Sequence, residues 1–292
     1  MSRALVLGGG GPVGVGWEAG LILGLAGAGV DLAAADSIVG TSAGSIVGAY
    51  VAAGQDLSNA AGQVQGATGT TSAAPGSSDG FDAVMVTVTE MAGAGAAPLD
   101  IRRELGRVAR KSATMTEAEW LGVFADMADW PWPERFACTG VDVESGEFVV
   151  WDQAAGARLQ SAVASSCAVP GIFPPVTIDG RRYMDGWMRT ALNADVAAGH
   201  DVVIAVSCMA LALPPGVTDP LFELLIGETR SEMETVAAAG GQLEVIEPGA
   251  EFLEISGWGL NLMDFSRVEA AITAGFTQAA VEADRLRAAW NT

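Results

Sequence analysis

The stretch Ile38-Val39-Gly40-Thr41-Ser42-Ala43-Gly44-Ser45 passes from a short apolar run into a Gly/Ala-rich helical pattern through Gly-x-Ser-x-Gly. A strand that enters a helix through one tight turn is a nucleophile elbow. The turn strains the central serine, and Gly40 and Gly44 flank it because a Cβ at either position would meet neighbouring backbone. Ser42 Oγ then projects at the N-terminal end of the helix that begins near Ala43, where unpaired N–H groups and the helix dipole favour developing negative charge. In a chain with 38 glycines the same pattern also serves as a plain strand-to-helix turn, so the surrounding residues have to decide.

Upstream, Ala4 to Leu7 reads as a short buried strand entering Gly8-Gly9-Gly10-Gly11-Pro12-Val13-Gly14, with a helix from about Val15 to Ala28. Two uses of this loop compete. Gly9 to Gly14 fits the Gly-x-Gly-x-x-Gly fingerprint of a dinucleotide-binding protein, with Asp31 or Asp36 as the ribose-binding carboxylate. In that fold the acid ends the second strand, whereas here the acids precede Ile38-Val39 and the strand ends in the serine. The other use is an oxyanion hole built from Gly9, Gly10, Gly11 and Gly14, whose backbone N–H groups face a carbonyl oxygen as it gains charge. Two neighbouring parallel strands would bring loop and serine to one carboxyl edge, where α/β sheets place their sites.

Downstream, Gly66 to Gly80 reads as a mobile loop, either an insertion or a lid segment. Ile101 to Lys111 forms an amphipathic helix whose Arg103, Arg107, Arg110 and Lys111 make either a solvated face or a docking patch for phosphate head groups at a membrane surface. Thr116 and Glu119 form a capping box ahead of a helix to about Asp129. Trp130-Pro131-Trp132-Pro133 closes it, the tryptophans filling a crevice or touching lipid. Hairpins follow at Phe136 to Trp151 and at Val176 to Met184. The second turns on Asp179-Gly180 and delivers Asp185 at a strand end, ahead of Gly186. A strand at Asp201 to Ser207, a helix at Pro220 to Ala239, a strand at Leu243 to Glu247 and a helix at Asp264 to Trp290 complete the pattern. The expected fold class is α/β: a three-layer α/β/α sandwich with a mainly parallel central sheet, in one domain over 1–292.

Composition narrows the partners. A net charge of −20, from 15 Lys and Arg against 35 Asp and Glu, argues against nucleic acid. Cys138, Cys167 and Cys208 lack the spacing of a zinc site or a disulfide framework, so no metal or other cofactor is expected and a reducing compartment is. Met1 to Leu7 is too short an apolar stretch for a signal-peptide core, and no apolar run spans a bilayer, which points to a cytoplasmic protein. The single histidine, His200, would have to serve any Ser-His-Asp triad. It sits in a Gly-His-Asp turn before a buried strand, and Ser42 follows one strand and one helix rather than several. A serine–aspartate dyad remains, in which the aspartate, with an ordinary pKa of about 3.9, must be desolvated and within hydrogen-bond reach of Oγ to act as a base.

Four blocks in order, Gly9-Gly10-Gly11-Pro12-Val13-Gly14, Gly40-Thr41-Ser42-Ala43-Gly44, Ala164 to Val176 and Tyr183-Met184-Asp185-Gly186, resemble the patatin-like phospholipase family over about residues 4 to 210. The resemblance implies a three-layer α/β/α fold and lipid acyl hydrolysis without a metal. It also implies a dyad of Ser42 as nucleophile and Asp185 as base, with the Gly9 to Gly11 backbone as oxyanion hole. The expected substrate is a lipid or small acyl ester. Two positions depart from the family pattern: Val13 stands where Arg or Lys is usual, and Trp187 where Gly or Ala usually follows Asp-Gly. The missing cation leaves a non-catalytic lipid- or protein-binding relative as a further reading. The region from about 211 to 292 extends beyond the resemblance.

Overall fold

The computed structural model describes residues 1–66, 77–213, 216–218 and 220–291. Among these, eight strands form one sheet: β1 (Arg3–Leu7), β2 (Ser37–Gly40), β3 (Phe136–Asp142), β4 (Phe148–Trp151), β5 (Val176–Ile178), β6 (Arg181–Asp185), β7 (Val202–Val206) and β8 (Gln242–Ile246). Their order is β5-β6-β3-β2-β1-β7-β8, with β4 on β3. The run from β3 to β8 is parallel, and β4, β5 and β6 join antiparallel. The sheet is therefore mixed, with a parallel centre.

The central strands are apolar on both sides because helices cover both. Leu5, Leu7, Ile38, Ile204 and Val206 belong to one core, and the alternating Ala4, Val6, Val39, Val203 and Ala205 to another. The first layer includes α1 (Gly11–Gly27), α2 (Ala43–Ala52), α3 (Leu57–Gly66), α7 (Leu159–Ser166), α9 (Ala250–Ser256) and α10 (Val268–Trp290). The opposite layer holds α8 (Pro220–Ala238) and, over Val141 and Met184, α4 (Ser77–Gly93) and α5 (Pro98–Lys111). The short α6 (Glu117–Val123) brings Trp120 and Phe124 near the carboxyl edge of the sheet. Helix α10 lies along α1 at backbone distance: a Cβ at Gly20 would fall 2.1 Å from the Ile272 carbonyl, and one at Gly275 equally close to that of Trp17.

The edge of β3 positions the site. Cys138 pairs with Gly40 of β2 on one side and Trp151 of β4 on the other; two residues on, Gly140 pairs with Asp185 of β6 and Val149 of β4. Strand β6 thus takes over the edge of β3 where β2 stops. The C-terminal ends of β2 and β6 meet head to head.

Element boundaries differ from expectation where local chemistry intervenes. Helix α1 begins at Gly11 rather than Val15, since Pro12 suits the first turn of a helix. The 116–129 helix ends at Val123 and continues as a 3-10 turn, Ala125–Asp129. Of the expected 66–80 loop, residues 67–76 lie outside the described residues, while Ser77 already opens α4. Asp179 and Gly180 both adopt positive φ, as their hairpin turn requires.

Candidate active site

Ser42 has φ 52° and ψ −118°, a strained backbone for a residue with a Cβ. Surrounding groups hold it there. Its N–H donates to Ser166 Oγ at 3.0 Å, and its carbonyl accepts from Ser45 Oγ at 2.7 Å and Cys167 Sγ at 3.2 Å. Gly44 lets the elbow pack on β1, because a Cβ there would sit 2.2 Å from the Leu7 carbonyl oxygen.

Ser42 Oγ donates to Asp185 Oδ2 at 2.8 Å, and Asp185 Oδ1 accepts from the Trp187 N–H at 2.8 Å. Asp185 is fully buried. Burial pushes its pKa up to about 7, against the opposing pull of the Trp187 amide and the Ser42 hydroxyl. Beneath the pair, Thr41 and Thr139 hydroxyls lie 2.8 Å apart, and Asn193 Nδ2 donates to Thr41 Oγ1 at 3.0 Å and to the Gly186 carbonyl at 3.3 Å. This buried network fixes the serine-bearing turn against the aspartate-bearing strand.

The glycine loop arches over the elbow, but its four expected donors are not equivalent. The Gly9 N–H is engaged by the Ala191 carbonyl at 2.7 Å, and the Gly14 N–H by Gly10 at 2.7 Å inside the first turn of α1. Both amides are therefore turned away from an incoming oxygen. Those of Gly10 and Gly11 have no acceptor among the described residues, nor has that of Ala43 at the start of α2. Gly11 has φ 57°, and a Cβ at Gly10 would lie 2.6 Å from Cys208 Sγ. Behind the loop, Glu18 of α1 is fully buried, and burial pushes its pKa well above the ordinary range against the opposing pull of the Cys208 thiol and the Gly8 amide.

An apolar cavity opens beside Ser42, lined by Gly11, Ala43, Trp120, Phe173, Met263 and Phe265 among others. Trp120 stacks on Phe173 with centroids 3.9 Å apart. The lining suits an apolar ligand.

Other expected residues fall elsewhere. His200 precedes β7, whose Val202 aligns with Arg3 at the start of β1, so it lies at the edge opposite the serine; its Nδ1 contacts the Ala197 carbonyl at 2.9 Å. Asp36 accepts the Arg3 N–H at 2.8 Å at that same far edge, and Asp31 caps the turn at Leu32–Ala34. Neither is placed for a nucleotide at the glycine loop. Val13 is fully buried. The Trp187 ring lies 3.4 Å from where a Gly9 Cβ would be. On α5, Arg103, Arg107 and Arg110 pair with Asp100, Glu104 and Glu144. Trp130 packs edge-on against Tyr50, and Trp132 donates to the Phe136 carbonyl. The supporting roles of Thr139 and Asn193 had no motif of their own, and Ser166 and Cys167, though within the Ala164 to Val176 block, had no role read for them; the only signal was polar residues inside otherwise apolar stretches.

The mixed α/β sheet thus carries a serine elbow, a strand-end aspartate and a glycine loop that converge on its carboxyl edge. The model of the patatin-like phospholipase family matches residues 5–198, and the chain belongs to that family of lipid acyl hydrolases. No curated protein matches the chain. Solved structures that match include the crystal structure of VipD from Legionella pneumophila, 12% identical, with 97% of this chain and 67% of that one covered at a TM-score of 0.46. Among the described residues no helix is long and apolar enough to cross a membrane.

Proposed function

We propose that this protein hydrolyses fatty acyl esters through Ser42 and Asp185. The observation that carries the reading is the 2.8 Å hydrogen bond to the buried Asp185 carboxylate from the Oγ of Ser42, a residue of the apolar cavity's lining. As Oγ attacks the ester carbonyl, Asp185 takes its proton, a transfer favoured by a carboxyl raised to about 7. The oxyanion forms at the unpaired Gly10 and Gly11 amides, near the N-termini of α1 and α2. The tetrahedral intermediate collapses, Asp185 returns the proton to the leaving alcohol, and water releases the acid from the acyl-serine. The acyl chain occupies the cavity between Trp120 and Met263. Three of the four cations on the basic face of α5 are already paired, so that face is not proposed as the lipid contact.

Turnover of p-nitrophenyl esters of graded chain length tests the reading. Ser42→Ala and Asp185→Asn are expected to lose at least about a hundredfold in kcat, in the range of a lost general base, while His200→Ala retains wild-type turnover. Lipid binding without turnover in the wild-type protein would instead support the non-catalytic reading. Loss of activity in His200→Ala would support a histidine base.

A further inference from the structure

Between α9 and α10 the chain turns sharply through residues 257–263. Gly257, Trp258 and Gly259 follow one another with φ of 58°, 58° and 98°. The left-handed region costs an aromatic residue free energy, so Trp258 is held there by its surroundings. The Trp258 N–H donates to the Leu253 carbonyl at 2.9 Å and the Asn261 N–H to that of Ser256 at 2.8 Å. The result is a hydrogen-bonded knuckle that points two large apolar side chains at solvent: Trp258 is 45% and Leu260 80% exposed. Trp258 Nε1 has no hydrogen-bond partner among the described residues.

The knuckle runs on, within a few residues, into the lining of the Ser42 cavity. Leu262, two residues past the exposed leucine, is buried, and its carbonyl accepts the Val13 N–H at 3.2 Å. The next residues along, Met263 and Phe265, line the cavity itself. A lipid surface touched by Trp258 and Leu260 therefore meets the chain only a few residues from the cavity wall formed by Met263 and Phe265. Charge selects the kind of surface. The chain carries −20 overall, Glu251 and Glu254 precede the knuckle on α9, and the nearby Arg267 is engaged by Asp264 and the Ile255 carbonyl.

We infer that Trp258 and Leu260 dock this protein on a zwitterionic lipid surface, holding the cavity mouth against it. Tryptophan suits this depth, its ring among acyl chains and its N–H at head-group level. An anionic surface would be repelled. The inference rests on the proposed hydrolase reading for its purpose but not for its test.

The test measures sedimentation of the full-length Ser42→Ala protein with phosphatidylcholine vesicles, alone and with added phosphatidylglycerol. Binding is expected to phosphatidylcholine, to weaken with phosphatidylglycerol, and to fall about tenfold in each of Trp258→Asn and Leu260→Asp. Asparagine tolerates the left-handed backbone, and Leu260 is exposed enough that its replacement leaves the fold intact. In the Ser42 background the same two substitutions should leave turnover of a water-soluble short-chain ester unchanged and raise the apparent KM on vesicle substrate. Equal binding by both variants would overturn the inference. So would binding that requires phosphatidylglycerol, loss of binding only when Arg103 and Arg107 are reversed to Glu, or an oligomer dissociated by Leu260→Asp with no vesicle binding. Vesicle binding by a protein that turns over no ester would uphold the docking surface and remove the hydrolase reading; the converse would do the reverse.

Discussion

Replacing Asp185 by Asn should stabilise the protein while inactivating it, by an amount that grows with pH. Asp185 is completely buried, and desolvation raises its pKa from an ordinary 3.8 to about 7. A carboxyl raised on folding contributes no penalty below its unfolded pKa, where both states are protonated. The unfolded chain then ionises first, so stability is lost as pH rises from about 4 and the loss is complete above about 7. The interval corresponds to about 4 kcal/mol at pH 8 and about 2 kcal/mol at pH 5. Asparagine keeps an oxygen for the Trp187 amide and a polar group beside Ser42, so little of the hydrogen bonding is lost. Urea denaturation of wild type and Asp185→Asn at pH 5, 6, 7 and 8 should give a stability difference favouring the variant that widens by about 2–3 kcal/mol across the series. Glu232, also buried and raised to about 7, is common to both proteins and cancels. A difference that is flat with pH, or that favours wild type at pH 8, would refute a desolvated carboxyl beside the serine.

The same ionisation sets activity in the opposite sense, because the base must be deprotonated: acylation of Ser42 should rise with pH through about 7 and level off above it, as stopped-flow release of p-nitrophenol would report. A rate independent of pH from 5 to 9 would exclude Asp185 as the base. Gly44→Ala should cost about 3 kcal/mol or prevent folding, since the added Cβ meets the Leu7 carbonyl at 2.2 Å, and thermal melts would show it. Glu18→Met should raise stability at pH 7 by about 1–3 kcal/mol, because it removes a fully buried carboxyl whose desolvation outweighs the pull of the Cys208 thiol and the Gly8 amide; a lower urea midpoint would mean that those contacts outweigh the burial.

The parallel centre of the fold was legible because each of its strands is a short apolar run with punctuation at its ends, and the elbow because glycines on both sides of a serine leave few alternatives. Asp185 was legible as a strand-end acid. That it meets Ser42 was implied only by the family resemblance, since the meeting depends on β6 taking the place of β2 along the edge of β3, a non-local choice that no single window of sequence carries. The glycine loop was recognisable as a loop of donors. Which amides stay free depends on Ala191, some 180 residues away, and on α1 starting at Gly11. On the basic face of α5 the pairing of Arg110 was not legible, because its partner Glu144 comes from a distant hairpin turn. Helices α3, α4 and α9 went unread because their small and polar residues blur the apolar period on which such readings rest.

The most direct test of the central claim is reaction with a fluorophosphonate probe, with the adduct located by peptide mass spectrometry. The account predicts a single phosphonylated residue, Ser42, with labelling greatly reduced in Asp185→Asn and unchanged in His200→Ala. An adduct on another serine, or none on a folded protein already bound to phosphatidylcholine vesicles, would contradict it.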